Sequence, residues 1–326
     1  MFDRMVIKTK VPMAQIPTLV QRFYLQECTR EGALYYQSSA YGNFEAMFVT
    51  IDEGCGLTIR LSLHKHYWKD TSGLLDNSGM FTMDQARKAL DDIVRQFELT
   101  PSKCRVTYYE IGLNLPMSKP PIDFIRNTLS VIGRETFIDA NYERDRQRTT
   151  ERSRNIRKVM KVYDKTFEAE SKGRKVDKDI LRIETIYRHQ SVLLSEFFDN
   201  MFIRKTQRRF YTDWCGLSFI RPIQAAKGMK ASQMEKARDI LRLGVDRYLE
   251  QGLAEYKART ITKKCWETMR VFAHEWESRH CHNYTIVDSP ESAEYARKLL
   301  EQWCVASGEK QAPYGARVEN SESTHY

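Results

Sequence analysis

The chain has 326 residues, 41% hydrophobic and 29% charged, with a formal net charge of +9. This composition excludes a wholly disordered protein and predicts a real core, in two domains or in one with an appendage, with an anionic partner such as nucleic acid. Seven scattered cysteines without a Cys-x-x-Cys pair argue against a zinc ribbon or a disulfide framework, and no run approaches about 18 apolar residues, so the expectation is no membrane span and a reducing cytoplasm.

In chain order, Met5 to Lys10 alternates as an opening strand, and Ile16 to Gln26 has helical spacing. Phe44 to Ile51 and Leu57 to Leu63 read as strands joined by the turn Asp52-Glu-Gly-Cys-Gly56. The second strand is predicted to run on through His64-Lys-His66, which would place both imidazoles on one face. Two such histidines are a candidate divalent-metal pair, although the motif for that chemistry wants an apolar residue where Lys65 stands. Lys69 to Gly79 is predicted as a loop, and Thr82 with Gln85 forms a capping box for a helix ending before Pro101.

Arg105 to Leu115 is the next strand, with Tyr108, Glu110, Gly112 and Asn114 on one face and Tyr109, Ile111 and Leu113 on the other. A carboxylate in mid-strand is costly unless paired or metal-bound, and Gly112 beside it leaves room for a ligand or another backbone. Ile122 to Val131 follows as a helix. Asn141 to Lys178 is rich in arginine and lysine, including Arg144, Arg148, Arg154, Arg157 and Lys158. It is predicted as a hairpin, either solvated or in contact with phosphates.

Within it, alternation in Arg157-Lys-Val-Met-Lys-Val-Tyr-Asp-Lys165 places Lys161, Tyr163 and Lys165 on one face. The strand Asp179 to Tyr187 presents Arg182 and Glu184 together. A phenol between ammonium groups, beside a carboxylate and a guanidinium, suits attack on a phosphate. The cations would lower the phenol pKa, and Glu110 and Glu184, with Asn114 as a third donor, offer the oxygen ligands that Mg²⁺ or Mn²⁺ prefers. The alternative is an amphipathic strand with a solvated lysine edge.

Beyond residue 190 the pattern is helical, with stripes over 232–251 and 262–277 and a helix opening at Ser289. The spacings of Cys265, His274, His280, Cys281, His282 and Cys304 fit no structural zinc site. The fold class predicted is α+β: a curved antiparallel sheet with helices packed on one side over residues 1–205, then a helical part over 206–305 and a disordered tail over 306–326.

Four runs, in order, resemble one family: the phage and plasmid replication initiators of the filamentous-phage gene II/X type, as found in Bacteroidetes elements. They are Leu61-Ser-Leu-His-Lys-His-Tyr67, Arg105-Val-Thr-Tyr-Tyr-Glu-Ile-Gly-Leu-Asn114, Lys161-Val-Tyr-Asp-Lys165 and Leu181-Arg-Ile-Glu184, and the likeness spans roughly residues 1–200. Leu61 and His66 depart from the family's usual glycine and aromatic residue. The resemblance implies rolling-circle initiation, in which a tyrosine nicks the origin and stays joined to the 5′ phosphate.

On that reading Tyr163 is the nucleophile, Glu110, Glu184 and Asn114 hold Mg²⁺ or Mn²⁺, and His64 occupies the motif histidine. Lys161, Lys165 and Arg182 contact phosphate, with Lys65, Arg148, Arg154, Arg157 and Lys158 as further DNA contacts. The implied partners are origin duplex and single-stranded DNA, a host helicase and a second copy of the chain, with no membrane, in a bacterial cytoplasm. Two rival readings are an origin-binding or regulatory protein without covalent chemistry, and a nuclease using His64 and His66. Tyr108, Tyr109 and Tyr187 are rival nucleophiles.

Overall fold

A computed structural model describes residues 1–38, 46–73, 75–133, 135–139, 146–219, 223–225, 230–243, 245–277, 284–286, 289–311 and 313. Arg144, His280, Cys281, His282 and positions 314–326 lie outside the described residues.

The N-terminal half builds β1 (Phe2–Lys10), α1 (Ile16–Arg22), β2 (Leu25–Arg30), β3 (Ala33–Ser38), β4 (Met47–Ile51), β5 (Gly56–Ser62), α2 (Leu63–Ser72), α3 (Met83–Gln96), β6 (Arg105–Pro116) and α4 (Pro121–Arg126). Then come β7 (Thr128–Ile132), β8 (Glu135–Thr136), β9 (Ile138–Asp139), β10 (Gln147–Thr149), β11 (Lys158–Asp164), α5 (Lys165–Glu170), β12 (Ile180–Tyr187) and β13 (Val192–Leu193). The remainder is α6 (Asn200–Cys215), β14 (Leu217–Phe219), β15 (Ile223–Ala225), α7 (Ala231–Leu243), α8 (Val245–Lys257), α9 (Lys263–Glu277), β16 (Tyr284–Ile286) and α10 (Pro290–Ser307).

The main sheet is antiparallel, in the order β2-β3-β4-β5-β1-β6-β12-β11-β10-β9, with β13 added beside β6. The fold is α+β, as the residue pattern predicts. β1, β6, β12 and β11 are central, and β12 is buried along its whole length. Helix α6 covers the face carrying Thr185, whose hydroxyl accepts from Trp214 Nε1 at 2.9 Å. α10 is tied to α6 where the Tyr295 hydroxyl donates to the Trp214 carbonyl at 2.9 Å. The opposite face of β6, β12 and β11 is left for polar side chains.

Several elements differ from the sequence reading, each for a local reason. α1 stops at Arg22, because Tyr24 adopts a left-handed backbone (φ 49°) and the chain turns into the β2–β3 hairpin. The strand β5 ends at Ser62, whose hydroxyl accepts from Lys65 N at 3.2 Å and starts α2. His64 and His66 therefore sit two positions apart on a helix and do not share a face. α4 ends at Arg126 with Asn127 as its C-cap, and the β-branched Thr128, Val131 and Ile132 that follow favour strand β7. Lys165 opens a helix rather than continuing β11, because Asp164 Oδ1 accepts from Phe167 N at 2.9 Å. Short strands β13 to β16 occur beyond residue 190, where none is evident from the pattern. The capping box at Thr82 and Gln85 is present.

The expected boundary at 205 falls inside α6. The large hydrophobic core includes Phe2, Ile111 and Leu181 together with Ile203, Trp214, Tyr295 and Trp303, so α6 and α10 belong to the same core as the sheet. A separate small core of Ala237, Ile240, Tyr248, Phe272 and Ala273 joins α7, α8 and α9. This three-helix unit lies between β14 and α10, with β15 and β16 paired at its base.

Candidate active site

Cross-strand register assembles the polar face. Gln147, Tyr163, Arg182 and Asn114 form one row across β10, β11, β12 and β6. Thr149, Lys161, Glu184 and Gly112 form the next row, and Glu110 lies beyond it opposite Ile186. Side chains paired across strands share a face, so local alternation brings Tyr163, Lys161, Arg182, Glu184, Glu110 and Asn114 to one side of the sheet.

β1 adds Asp3. Between Phe2 and Met5 its pairing with β6 shifts by one residue. Phe2 and Met5 consequently both enter the core, and Asp3 is turned toward the polar face. Simple alternation back from Met5 would have placed Asp3 on the Met5 side, so it was missed. A carboxylate next to buried Phe2 was the one available signal. Carboxylate oxygens of Asp3, Glu110 and Glu184 all lie within 4.8 Å of one another, and each residue is at most 4% exposed.

One buried guanidinium answers these acids. Arg182 Nη2 donates to Asp3 at 2.9 Å, Nε to Glu184 at 3.0 Å and Nη1 to Asn114 Oδ1 at 3.0 Å. Burial alone would raise the Asp3 pKa, but Arg182 and the Ser62 hydroxyl, which donates to Asp3 at 2.6 Å, hold it below the usual carboxylate range. Glu110 has a weaker partner: Arg4, largely exposed, is 3.9 Å away. Burial first, and then the Glu184 charge, push the Glu110 pKa up. Three buried carboxylates facing one buried cation leave a deficit of positive charge. An all-oxygen cluster of this kind fits Mg²⁺ or Mn²⁺.

Asn114, expected as a ligand, is committed elsewhere. Its amide donates to the carbonyls of Asn77, Ser78 and Gly79 at 3.1, 2.8 and 2.9 Å and accepts from Arg182. Asp3 is the third acid of the cluster. The space at Gly112 is taken by the Arg182 guanidinium, not by a ligand.

The Tyr163 hydroxyl donates to Glu184 at 3.0 Å. Lys161 Nζ is 5.3 Å from the Tyr163 ring centroid. The expectation that nearby cations lower the phenol pKa is not met in this arrangement: burial, then the Glu184 charge, raise it well above its ordinary value. The Tyr108 hydroxyl donates to Glu110. Tyr109 and Tyr187 stack on each other in the core, with ring centroids 4.8 Å apart, which removes them as nucleophiles facing the site.

Lys165 is buried, donating to Asn77 Oδ1 at 2.7 Å and paired with Glu168, so it is held away from an incoming phosphate. His64 is 1% exposed and stacks on Phe81 (centroids 4.4 Å, interplanar 8°), and among the described residues neither ring nitrogen has a hydrogen-bond partner. Burial lowers its pKa to about 3, so it is a neutral packing residue. His66 instead bonds Asp92 at 2.7 Å, and the two histidines form no common metal site.

Among the expected DNA contacts, Arg154 and Arg157 are exposed on the turn between β10 and β11, and Lys65 is half-buried on α2. Arg182 is interior. Arg148 is buried and donates to the Thr128 carbonyl and hydroxyl at 2.6 and 2.8 Å, and Lys158 pairs with Asp213 at 2.7 Å. These three are tied into the protein. A cavity of about 430 Å³ opens over the acids, lined also by Arg4, Gln147, Lys161, Tyr163 and Phe167.

No family model matches the chain, and no curated protein matches it. Among solved structures, the rolling circle replication initiator protein from Geobacillus stearothermophilus aligns over 74% of this chain and 96% of its own, at 8% identity and a TM-score of 0.37. Among the described residues, no helix is long and apolar enough to cross a membrane.

Proposed function

We propose that the chain is a rolling-circle replication initiator, a DNA-nicking and strand-transfer enzyme with Tyr163 as its nucleophile. The observation that carries this reading is the Tyr163 hydroxyl hydrogen-bonded at 3.0 Å to one acid of a three-carboxylate cluster. Glu184 would take the phenol proton as the Tyr163 oxygen attacks a phosphodiester phosphorus. The bond to the 3′ oxygen breaks, and that oxygen takes up a proton, from the protonated Glu184 or from water, and leaves as a hydroxyl. The new phosphotyrosine retains the energy of the broken bond, so a 3′ hydroxyl can later reverse the step without a nucleotide cofactor.

Asp3, Glu110 and Glu184 would hold Mg²⁺ or Mn²⁺, which supplies positive charge beside the attacked phosphate. Lys161 and Arg4, both on the cavity wall, would take the phosphate's negative charge. Arg182 would keep Asp3 and Glu184 in place. Arg154, Arg157 and Lys65 would contact the backbone of the origin, and the α7–α9 unit would grip the duplex or the displaced strand. A host helicase, a second copy of the chain and a bacterial cytoplasm remain expectations from the gene II/X-type resemblance.

The test is incubation with the protein's own supercoiled replicon and Mg²⁺ or Mn²⁺. Nicked circles and a DNA adduct that survives denaturation are expected, and both should disappear in Tyr163→Phe. Nicking that persists in the variant would sink the Tyr163 assignment. A second reading, origin binding without covalent chemistry, is favoured by the raised pKa of the Tyr163 phenol and by the ion pairs that Asp3 and Glu184 already make with Arg182. It predicts binding to the replicon with no nick under either metal.

A further inference from the structure

Two residues on the cavity wall have no part in the chemistry above. Gln147 is the cross-strand neighbour of Tyr163, so its side chain lies on the face of the nucleophile. Among the described residues its amide makes no hydrogen bond. Phe167 projects from the first turn of α5 and lines the same cavity.

Phe167 is held by a built support. Asp164 is 2% exposed, and its Oδ1 accepts from the Phe167 backbone N–H at 2.9 Å. Its Oδ2 accepts from Arg146 Nη1 at 3.1 Å, and the Arg146 guanidinium carbon lies 4.3 Å from the Phe167 ring centroid. One buried carboxylate therefore caps the helix that carries the ring and fixes a cation on it. The Asp in the Tyr163-Asp164 pair acquires a reason to be there.

A supported aromatic ring beside the nucleophile, sharing a cavity with an amide that can both donate and accept, suits a flat ligand with polar edges. We propose that Phe167 and Gln147 form a nucleobase subsite, which receives an unpaired base next to the attacked phosphate. The ring supplies stacking and the amide meets the base edge. The inference rests on the nicking function, which brings single-stranded DNA to this cavity, and it assigns the substrate contact that would place the phosphate over Tyr163.

The test is fluorescence anisotropy of the full chain with a labelled oligothymidylate and with an abasic oligomer of the same length and charge. Phe167→Ala is expected to weaken oligothymidylate binding roughly 5- to 150-fold, leave abasic binding unchanged, and be rescued in Phe167→Trp. Gln147→Ala, which leaves the ring and its support intact, should flatten preferences among oligothymidylate, oligoadenylate and oligocytidylate. Equal wild-type affinity for the abasic and base-bearing oligomers would overturn the subsite, as would equal losses on both in Phe167→Ala. The nicking assay reads separately. A wild type that discriminates bases through Phe167 but forms no adduct sinks the nicking function and keeps the subsite.

Discussion

A Cβ on Gly112 would lie 2.7 Å from Nη2 of Arg182 and 2.9 Å from its Nε and Cζ. The glycine is there because the guanidinium lies across the strand at that point, reaching from Asn114 on one side to Asp3 and Glu184 on the other. Gly112→Ala is therefore expected to dislodge an arginine that is 3% exposed and locked by three partners. The cost is about 3–5 kcal/mol, the range for breaking a buried ion pair. Chemical denaturation checks this. A variant as stable as the wild type would show that the guanidinium has another place to go.

The charge deficit at the acids predicts how metal and pH act together. The Glu110 pKa is raised in the folded protein, so its contribution is intact below the unfolded value and is lost as pH rises through the folded one. In metal-free protein, Glu110→Gln should raise Tm at pH 8 by the equivalent of ~1–2 kcal/mol and make little difference at pH 5. Mn²⁺ should raise the wild-type Tm more at pH 8 than at pH 5, with most of the gain lost in Glu184→Gln. Scanning calorimetry with and without chelator reads both. A Tm indifferent to Mn²⁺ at pH 8 would count against the metal site.

His64 offers a contrast between a motif residue and a reactive one. It is neutral, stacked on Phe81 and, among the described residues, without a hydrogen bond to its ring nitrogens, so His64→Phe should keep the proposed nicking activity. Its folded pKa, about 3, lies below the unfolded value, so wild-type stability falls as pH drops below about 6.5. At pH 4 the variant should be the more stable protein by roughly 2–3 kcal/mol. Loss of nicking in a folded His64→Phe protein would restore a chemical role to the imidazole.

Glu168 has the opposite sign. Burial would raise its pKa, but Lys165 and Lys172 bring it down to about 2. Its stabilisation is present above the unfolded carboxylate pKa and fades as pH falls toward 2. Glu168→Gln should cost about 1–2 kcal/mol at pH 7, after allowance for its partial exposure, and close to nothing at pH 2.5. Urea unfolding at the two pH values tests the trend, and a cost independent of pH would contradict it.

Much of the sheet was legible because alternation is local: Lys161, Tyr163, Arg182, Glu184 and Glu110 declare their faces within their own strands. What was hidden depended on departures from alternation or on distant chain. Ser62 and Asp164 are polar strand ends that also cap helices, and this carried His64 and Lys165 off the predicted faces. The one-residue shift in β1 reversed Asp3. The burial of Arg182 was unreadable, because beyond its strand neighbour Glu184 its partners Asn114 and Asp3 lie on two other strands, 68 and 179 residues away.

That separation has a consequence for biosynthesis. β1 is hydrogen-bonded between β5 and β6, and β6 in turn to β12, so a strand made well before β12 supplies an acid to a cluster that β12 completes. A ribosome must deliver the whole of β12 before Asp3 can meet its guanidinium partner. Pairings this long-range form slowly. On the proposed function, a chain terminated before β12 would carry Tyr163 without Glu184 and Arg182, so incomplete synthesis would yield an inert protein rather than an unregulated nickase.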